Sequence, residues 1–236
     1  MSNTVVIPGG RDVRATRDAA NDTAPSETLV VGCPPHPLQG GSRHDRRLRA
    51  VAEALTEAGA DCLRIDYGAY DAGRGECVDV KRAVEWAGAR AECVGLVGYS
   101  FGATVALCAA ARDATDTPVV DGVVALAPPS RLPIAAGTDD TRAGETAPAL
   151  EADDHGVDGR EDTEWSAVTA LSTLADSDCA VDVAYGTRDS TVETGPVVEA
   201  ARAAGGAVVD VDADHGFTGR LDEVADVVVD AVDRWR

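Results

Sequence analysis

The sequence predicts an α/β fold, a mainly parallel sheet with helices on both faces. Three observations predict it. Apolar β-runs alternate with helix-periodic stretches from residue 28 to the end, the pattern of parallel strands joined by crossover helices. Gly98-Tyr99-Ser100-Phe101-Gly102 stands between an apolar strand-like run and a buried helix-like run. The length, 236 residues, suits one well-buried α/β domain and is short for two, so a single domain over 1–236 is expected.

The elements follow in order. Thr4–Ile7 and Val13–Thr16 are short β-runs around Pro8-Gly9-Gly10, and Thr28–Val31 reads as a buried strand. Cys33-Pro34-Pro35-His36-Pro37-Leu38-Gln39-Gly40-Gly41 reads as a rigid extended loop, because each proline disfavours helix in the residue before it. Leu48, Val51, Ala52 and Leu55 recur at helical spacing, and Gly59 stops that helix. Cys62–Tyr67 is the next strand, and Val80, Ala83, Val84 and Ala87 mark one face of a helix over Val78–Ala87. Glu92–Val97 leads into the Gly-Tyr-Ser-Phe-Gly segment, Ala103–Ala111 is a buried helix, and Gly122–Ala127 is a strand ended by Pro128-Pro129. The pattern then breaks. Residues 131–162 are polar, Gly-rich and aperiodic, and read as an insertion: a mobile lid or a disordered loop. Beyond it come a helix near 164–175, a strand Ala180–Tyr185, a helix near 193–204, a strand Ala207–Val211 and a last helix near 219–235.

Composition narrows the function classes. Formal net charge is −20, with 28 Asp, 13 Glu and 20 Arg, and Lys81 is the one lysine. Such a surface repels nucleic acid and anionic membrane. It also suits concentrated salt, where the Debye length is about 3 Å at 1 M and carboxylate repulsion is screened. The composition therefore reads as halophilic, against the alternative of an ordinary acidic enzyme from a high-GC genome. The 6 cysteines form no CxxC and no paired spacing with histidine, so they read as small buried hydrophobes in a reducing, cytoplasmic compartment. No secretory h-region and no membrane-length apolar run is visible. No Walker motif, GxGxxG or HExxH is present, so neither a cofactor nor a metal is expected.

Chemistry concentrates at Ser100. A serine becomes a nucleophile when a base takes its proton and a third group orients that base. A strand–turn–helix with glycines on either side holds such a serine in a strained, exposed position. Of the 4 histidines, His44 starts a helix, His155 lies in the polar insertion and His36 shapes the proline-rich loop. His215, just past a predicted strand, is the candidate base. Asp189 follows the preceding strand and is the candidate acid by position. Asp178, Asp182, Asp210, Asp212 and Asp214 are the other carboxylates nearby. An oxyanion needs two N–H donors. Phe101, next to the serine, is one, and Leu38, in the loop after the first buried strand, is the other, with Gln39 as its alternative.

These residues carry a resemblance. The order Ser100, Asp189, His215 resembles the α/β-hydrolase superfamily over nearly the full length. His36-Pro37-Leu38-Gln39-Gly40-Gly41, Leu63-Arg64-Ile65-Asp66-Tyr67 and Gly75-Glu76-Cys77-Val78-Asp79 are similar to the HP-x-x-GG loop, R-[FI]-[ND]-[FY] strand and G-E-x-x-D helix start of the dienelactone-hydrolase-related, short-chain group. The resemblance implies Ser100, Asp189 and His215 as triad, with Leu38 and Phe101 at the oxyanion hole. Two departures stand out. Dienelactone hydrolases use cysteine where this chain has Ser100, and Tyr67-Gly68-Ala69-Tyr70 replaces the group's usual Arg-Gly-x-Gly.

The expected function is a serine hydrolase that cleaves a small ester, lactone or thioester through an acyl-enzyme. The alternatives are an acyltransferase using the same triad and a non-catalytic binding protein that keeps the fold. The partner expected is a small-molecule acyl substrate. Neither its identity nor the oligomeric state is legible.

Overall fold

The structure is a computed structural model, and it describes residues 2–20, 26–114, 120–132 and 166–236. Its strands are β1 (Ser2–Val6), β2 (Arg14–Asp18), β3 (Thr28–Cys33), β4 (Asp61–Asp66), β5 (Cys93–Tyr99), β6 (Gly122–Leu126), β7 (Ala180–Gly186) and β8 (Ala207–Val211). The helices are α1 (Arg46–Glu57), α2 (Arg74–Gly88), α3 (Phe101–Asp113), α4 (Ala167–Leu174), α5 (Gly195–Ala203) and α6 (Leu221–Trp235). All eight strands form one sheet in the order β1-β2-β4-β3-β5-β6-β7-β8. The strands from β4 to β8 in that order are parallel, and β1 and β2 add an antiparallel hairpin at the β4 edge. The expected mainly parallel, doubly covered sheet is what the chain forms.

Alternation along each strand divides the core between two faces. Leu29 and Val31, Val94 and Leu96, and Val123 and Ala125 pack under α2, α3, α4 and α5. Val30, Val97, Val124 and Leu126 face the other way, under α1 and α6. Burying each such aliphatic side chain is worth about 1.5–3 kcal/mol. Gly95 and Gly122 are partners across β5 and β6. A Cβ at either position would collide with the indole of Trp235, which lies on the sheet there. These glycines let α6 close down on the strands that lead to the site.

Three local differences from the sequence reading stand out. α2 starts at Arg74, a turn earlier than Val78, because the Glu76 carboxylate accepts from the amides of Asp71 (2.9 Å) and Gly73 (2.8 Å) and caps the helix. The loop after β3 is not extended throughout: His36, before Pro37, keeps extended torsions, and Pro37–Gln39 then form one 3-10 turn. The first strands are offset by two residues or fewer at either end. The polar insertion expected over 131–162 lies, apart from Arg131 and Leu132, outside the described residues.

Candidate active site

The chain reverses its lateral direction at β3: β4 lies on one side and β5 on the other. At such a switch point the loops leaving the carboxyl ends of neighbouring strands diverge and open a crevice. Here those are the loop after β3, with the HP-x-x-GG residues, and the turn after β5, with Ser100.

Ser100 sits between β5 and α3 with φ 54° and ψ −121°, a conformation that L-residues rarely adopt. Its amide donates to the Leu126 carbonyl at 2.8 Å, which ties the turn to β6. The neighbouring glycines are steric requirements. A Cβ on Gly98 would strike the Gly102 carbonyl, and one on Gly102 would strike the carbonyl oxygens of Cys33 and Pro34.

Loops after β7 and β8 bring two further groups to this serine. His215 Nε2 lies 3.0 Å from Ser100 Oγ, and His215 Nδ1 lies 2.7 Å from Asp189 Oδ2. The Asp189 side chain is 1% exposed, against 16% for His215. Its other oxygen, Oδ1, accepts from the amides of Thr191 (2.8 Å) and Val192 (3.2 Å). The carboxylate is thus anchored on one side and turned to the imidazole on the other. The remaining carboxylates are engaged elsewhere or point to solvent. Asp182, near the start of β7, binds Arg234 at 2.7 Å, and burial raises its pKa. Asp212 pairs with Arg188. Asp214 accepts from the Thr218 amide at 2.9 Å, which lowers its pKa, and Asp178 and Asp210 are exposed.

A cavity of about 530 Å³ opens over Ser100 and His215. Its walls include His36, Gln39 and Phe101, the Asp45–Arg47 ion pair, Arg131 and Val192. Phe101 opens α3, and its amide belongs to the first turn, where N–H groups have no partner inside the helix. The structure does not bring the Leu38 side chain into the cavity: it is 71% exposed and lies outside the wall. Its main chain is a separate matter. In the turn, the Gln39 amide donates to the His36 carbonyl (3.0 Å), as does that of Gly41 (3.1 Å), and Gly40 donates to Pro37 (3.1 Å). The Leu38 amide carries none of these bonds. His44 is exposed, and His155 lies outside the described residues. His36 does more than shape its loop. It lines the cavity, with its ring 4.9 Å from those of Tyr70 and Phe101 and Nδ1 buried without a partner.

Sequence reasoning assigned no role to several supporting residues, although Tyr67 and Asp79 stand in the motifs quoted above. Asp79, wholly buried, accepts from the Gly68 amide (2.9 Å) and from Arg11 (2.8 Å), so it holds the Tyr67–Tyr70 loop beside the site. Tyr67 donates to the Pro34 carbonyl at 3.2 Å. Arg47 lies over the Tyr99 ring at 3.9 Å. Such contacts join residues separated in sequence, so a motif can mark the residue without naming its partner. Among the described residues no cluster of His, Cys, Asp and Glu could hold a metal, and no helix is long and apolar enough to cross a membrane.

Comparison with solved structures decides the fold. An α/β serine hydrolase without lid from Xanthomonas campestris superposes with a TM-score of 0.70 at 22% identity, over 99% of this chain and 94% of that one. The chain has the α/β-hydrolase fold. A dienelactone hydrolase from Anabaena variabilis shares this fold with a TM-score of 0.66 at 19% identity, over 99% of this chain and 97% of the other. An esterase from Pyrococcus furiosus shares it with a TM-score of 0.68 at 18% identity, over 100% and 93% of the two chains. No family model matches. An uncharacterized protein of Rickettsia prowazekii is 28% identical over 120 residues, 47% of this chain, and that match spans about half (49%) of the relative's length.

Proposed function

We propose that the chain is a serine hydrolase that cleaves a small ester, lactone or thioester through an acyl-enzyme. One observation carries the reading: Ser100, His215 and Asp189 are hydrogen-bonded in series, and Ser100 and His215 line an open cavity. In the reaction, His215 Nε2 takes the Ser100 proton as Oγ attacks the carbonyl carbon. Asp189 keeps Nδ1 protonated and stabilises the imidazolium that forms. The amides of Phe101 and Leu38 hold the oxyanion. Leu38 is preferred to Gln39 because the Gln39 amide is already bonded to His36. His215 then protonates the leaving alcohol or thiol. Water enters, gives its proton to His215 and attacks the acyl carbon; as the acyl carbon–Oγ bond breaks and the acid leaves, His215 returns the proton to Ser100 Oγ. The serine hydrolase and the esterase among the similar structures support this reaction class.

A cavity of about 530 Å³ is the size of an ordinary small-molecule pocket. The test is a chain-length series of p-nitrophenyl esters with wild type, Ser100→Ala and His215→Ala. The reading requires turnover by wild type with some member of the series and none by either variant. Turnover that survives Ser100→Ala defeats it. An added alcohol that diverts most of the product into a new ester would assign the same serine to acyl transfer.

A further inference from the structure

The imidazole of His215 is held at both nitrogens, but its main chain needs an anchor of its own. The main chain of its loop is bonded on either side of it: Arg188 donates to the Ala213 carbonyl (2.9 Å), Ala213 to Val211 (2.7 Å), Phe217 to Asp214 (3.0 Å), Thr218 to the Asp214 carboxylate (2.9 Å) and the Arg46 guanidinium to the Gly216 carbonyl (3.5 Å). None of these bonds involves His215 itself. The Tyr99 hydroxyl does: it donates to the His215 carbonyl at 3.2 Å. Tyr99 is the residue immediately before Ser100 and is 4% exposed. Its ring lies 5.3 Å from the imidazole and 6.4 Å from Phe217. On its cavity side the Arg47 guanidinium sits 3.9 Å above the ring, a favourable cation–π contact. Arg47 is held in turn by Asp45, whose Oδ1 accepts from Arg47 Nε (3.0 Å) and from the Arg47 amide (2.9 Å), capping α1. Asp45, Arg47, Tyr99 and the His215 carbonyl form one connected chain.

We propose that Tyr99 is a positioning residue for His215, held in place by Arg47, and that it sets the reach of Nε2 to Ser100. Serine and clamp are consecutive residues of one strand end, so the hydroxyl of Tyr99 ties the loop of the base to the backbone of the nucleophile. The Tyr99 hydroxyl bonds the His215 carbonyl and not a triad side chain. Burial pushes its phenol up to about 12, so the hydroxyl stays protonated and donating across the neutral range.

The inference rests on the serine-hydrolase reading, and the test separates the two. Tyr99→Phe keeps the ring and removes the donor. Its kcat on a short ester should fall about three- to tenfold, the size expected for one lost hydrogen bond, with KM unchanged. In the resting protein, the downfield proton NMR signal of His215 Nδ1–H against Asp189 should broaden as that proton exchanges faster. Arg47→Met, which leaves the phenol but frees its ring, should broaden the same signal. An unchanged kcat and a sharp signal in Tyr99→Phe overturn the clamp. So does a raised KM at constant kcat, which would make Tyr99 a binding residue. If wild type turns over no ester, the hydrolase reading fails, and the NMR comparison still decides the clamp: broadening supports it and a sharp signal overturns it.

Discussion

Replacing Asp189 by Asn tests the proposed division of labour at its most sensitive point. The substitution is isosteric, and the side chain is 1% exposed, so packing changes little. The surroundings dictate how the amide turns. Two amides, from Thr191 (2.8 Å) and Val192 (3.2 Å), donate to Oδ1. Only the amide oxygen can accept them, so the Asn NH2 must face His215 Nδ1. The imidazole then accepts at Nδ1 and carries its proton on Nε2, the atom that should take the proton from Ser100. The base is held in the wrong tautomer. The expected loss in kcat is about 10⁴-fold, or about 5.5 kcal/mol of transition-state stabilisation. The assay is steady-state hydrolysis of a short p-nitrophenyl ester, with circular dichroism to establish that the fold is kept. Near-wild-type kcat in Asp189→Asn would refute the reasoning and return the role to another carboxylate.

Four other outcomes are expected. Gly98→Ala places a methyl on the Gly102 carbonyl, so denaturant melts should show a loss of about 1–3 kcal/mol or more. Asp182 has its pKa raised by burial, with Arg234 opposing. The folded state therefore binds that proton more tightly than the unfolded state, a cost present at neutral pH that vanishes as pH falls below both pKa values. Asp182→Asn should keep or raise Tm near neutral pH, whereas Arg234→Met should lower it by leaving a buried carboxylate unpaired. In thiol titration with a disulfide reagent at mildly alkaline pH, the native protein should react slowly and first at half-buried Cys93, whose thiol burial pushes up to about 11; all 6 thiols should react after denaturation. Finally, with net charge −20, Tm should go on rising in chloride salt from about 0.3 to 3 M, and a flat curve there would reject a halophilic surface.

Much of this architecture was legible because its causes are local. The alternation of apolar runs fixes strands and helices wherever an element buries one face or two, as in Thr28–Val31 and Ala103–Ala111. The flanking glycines of Ser100 were readable because the carbonyls they avoid belong to the turn itself and to the neighbouring strand end. Asp189 and His215 could be singled out because open α/β sheets gather their sites at carboxyl strand ends. What escaped was tertiary. Glu76 starts α2 early by reaching back to two loop amides, a geometry that apolar spacing does not encode. The exposed Leu38 side chain and the inward-facing His36 depend on a single 3-10 turn that three prolines did not predict. Arg47 lies over Tyr99 through tertiary packing, which joins the start of α1 to the end of β5.

The central claim is that Ser100 is a nucleophile activated by His215. Its most direct test is covalent labelling by a fluorophosphonate, read by intact-protein and peptide mass spectrometry. The account predicts one adduct per chain, on the peptide that contains Ser100, lost in Ser100→Ala and greatly slowed in His215→Ala. An unlabelled wild type, or an adduct that persists in Ser100→Ala, would contradict it.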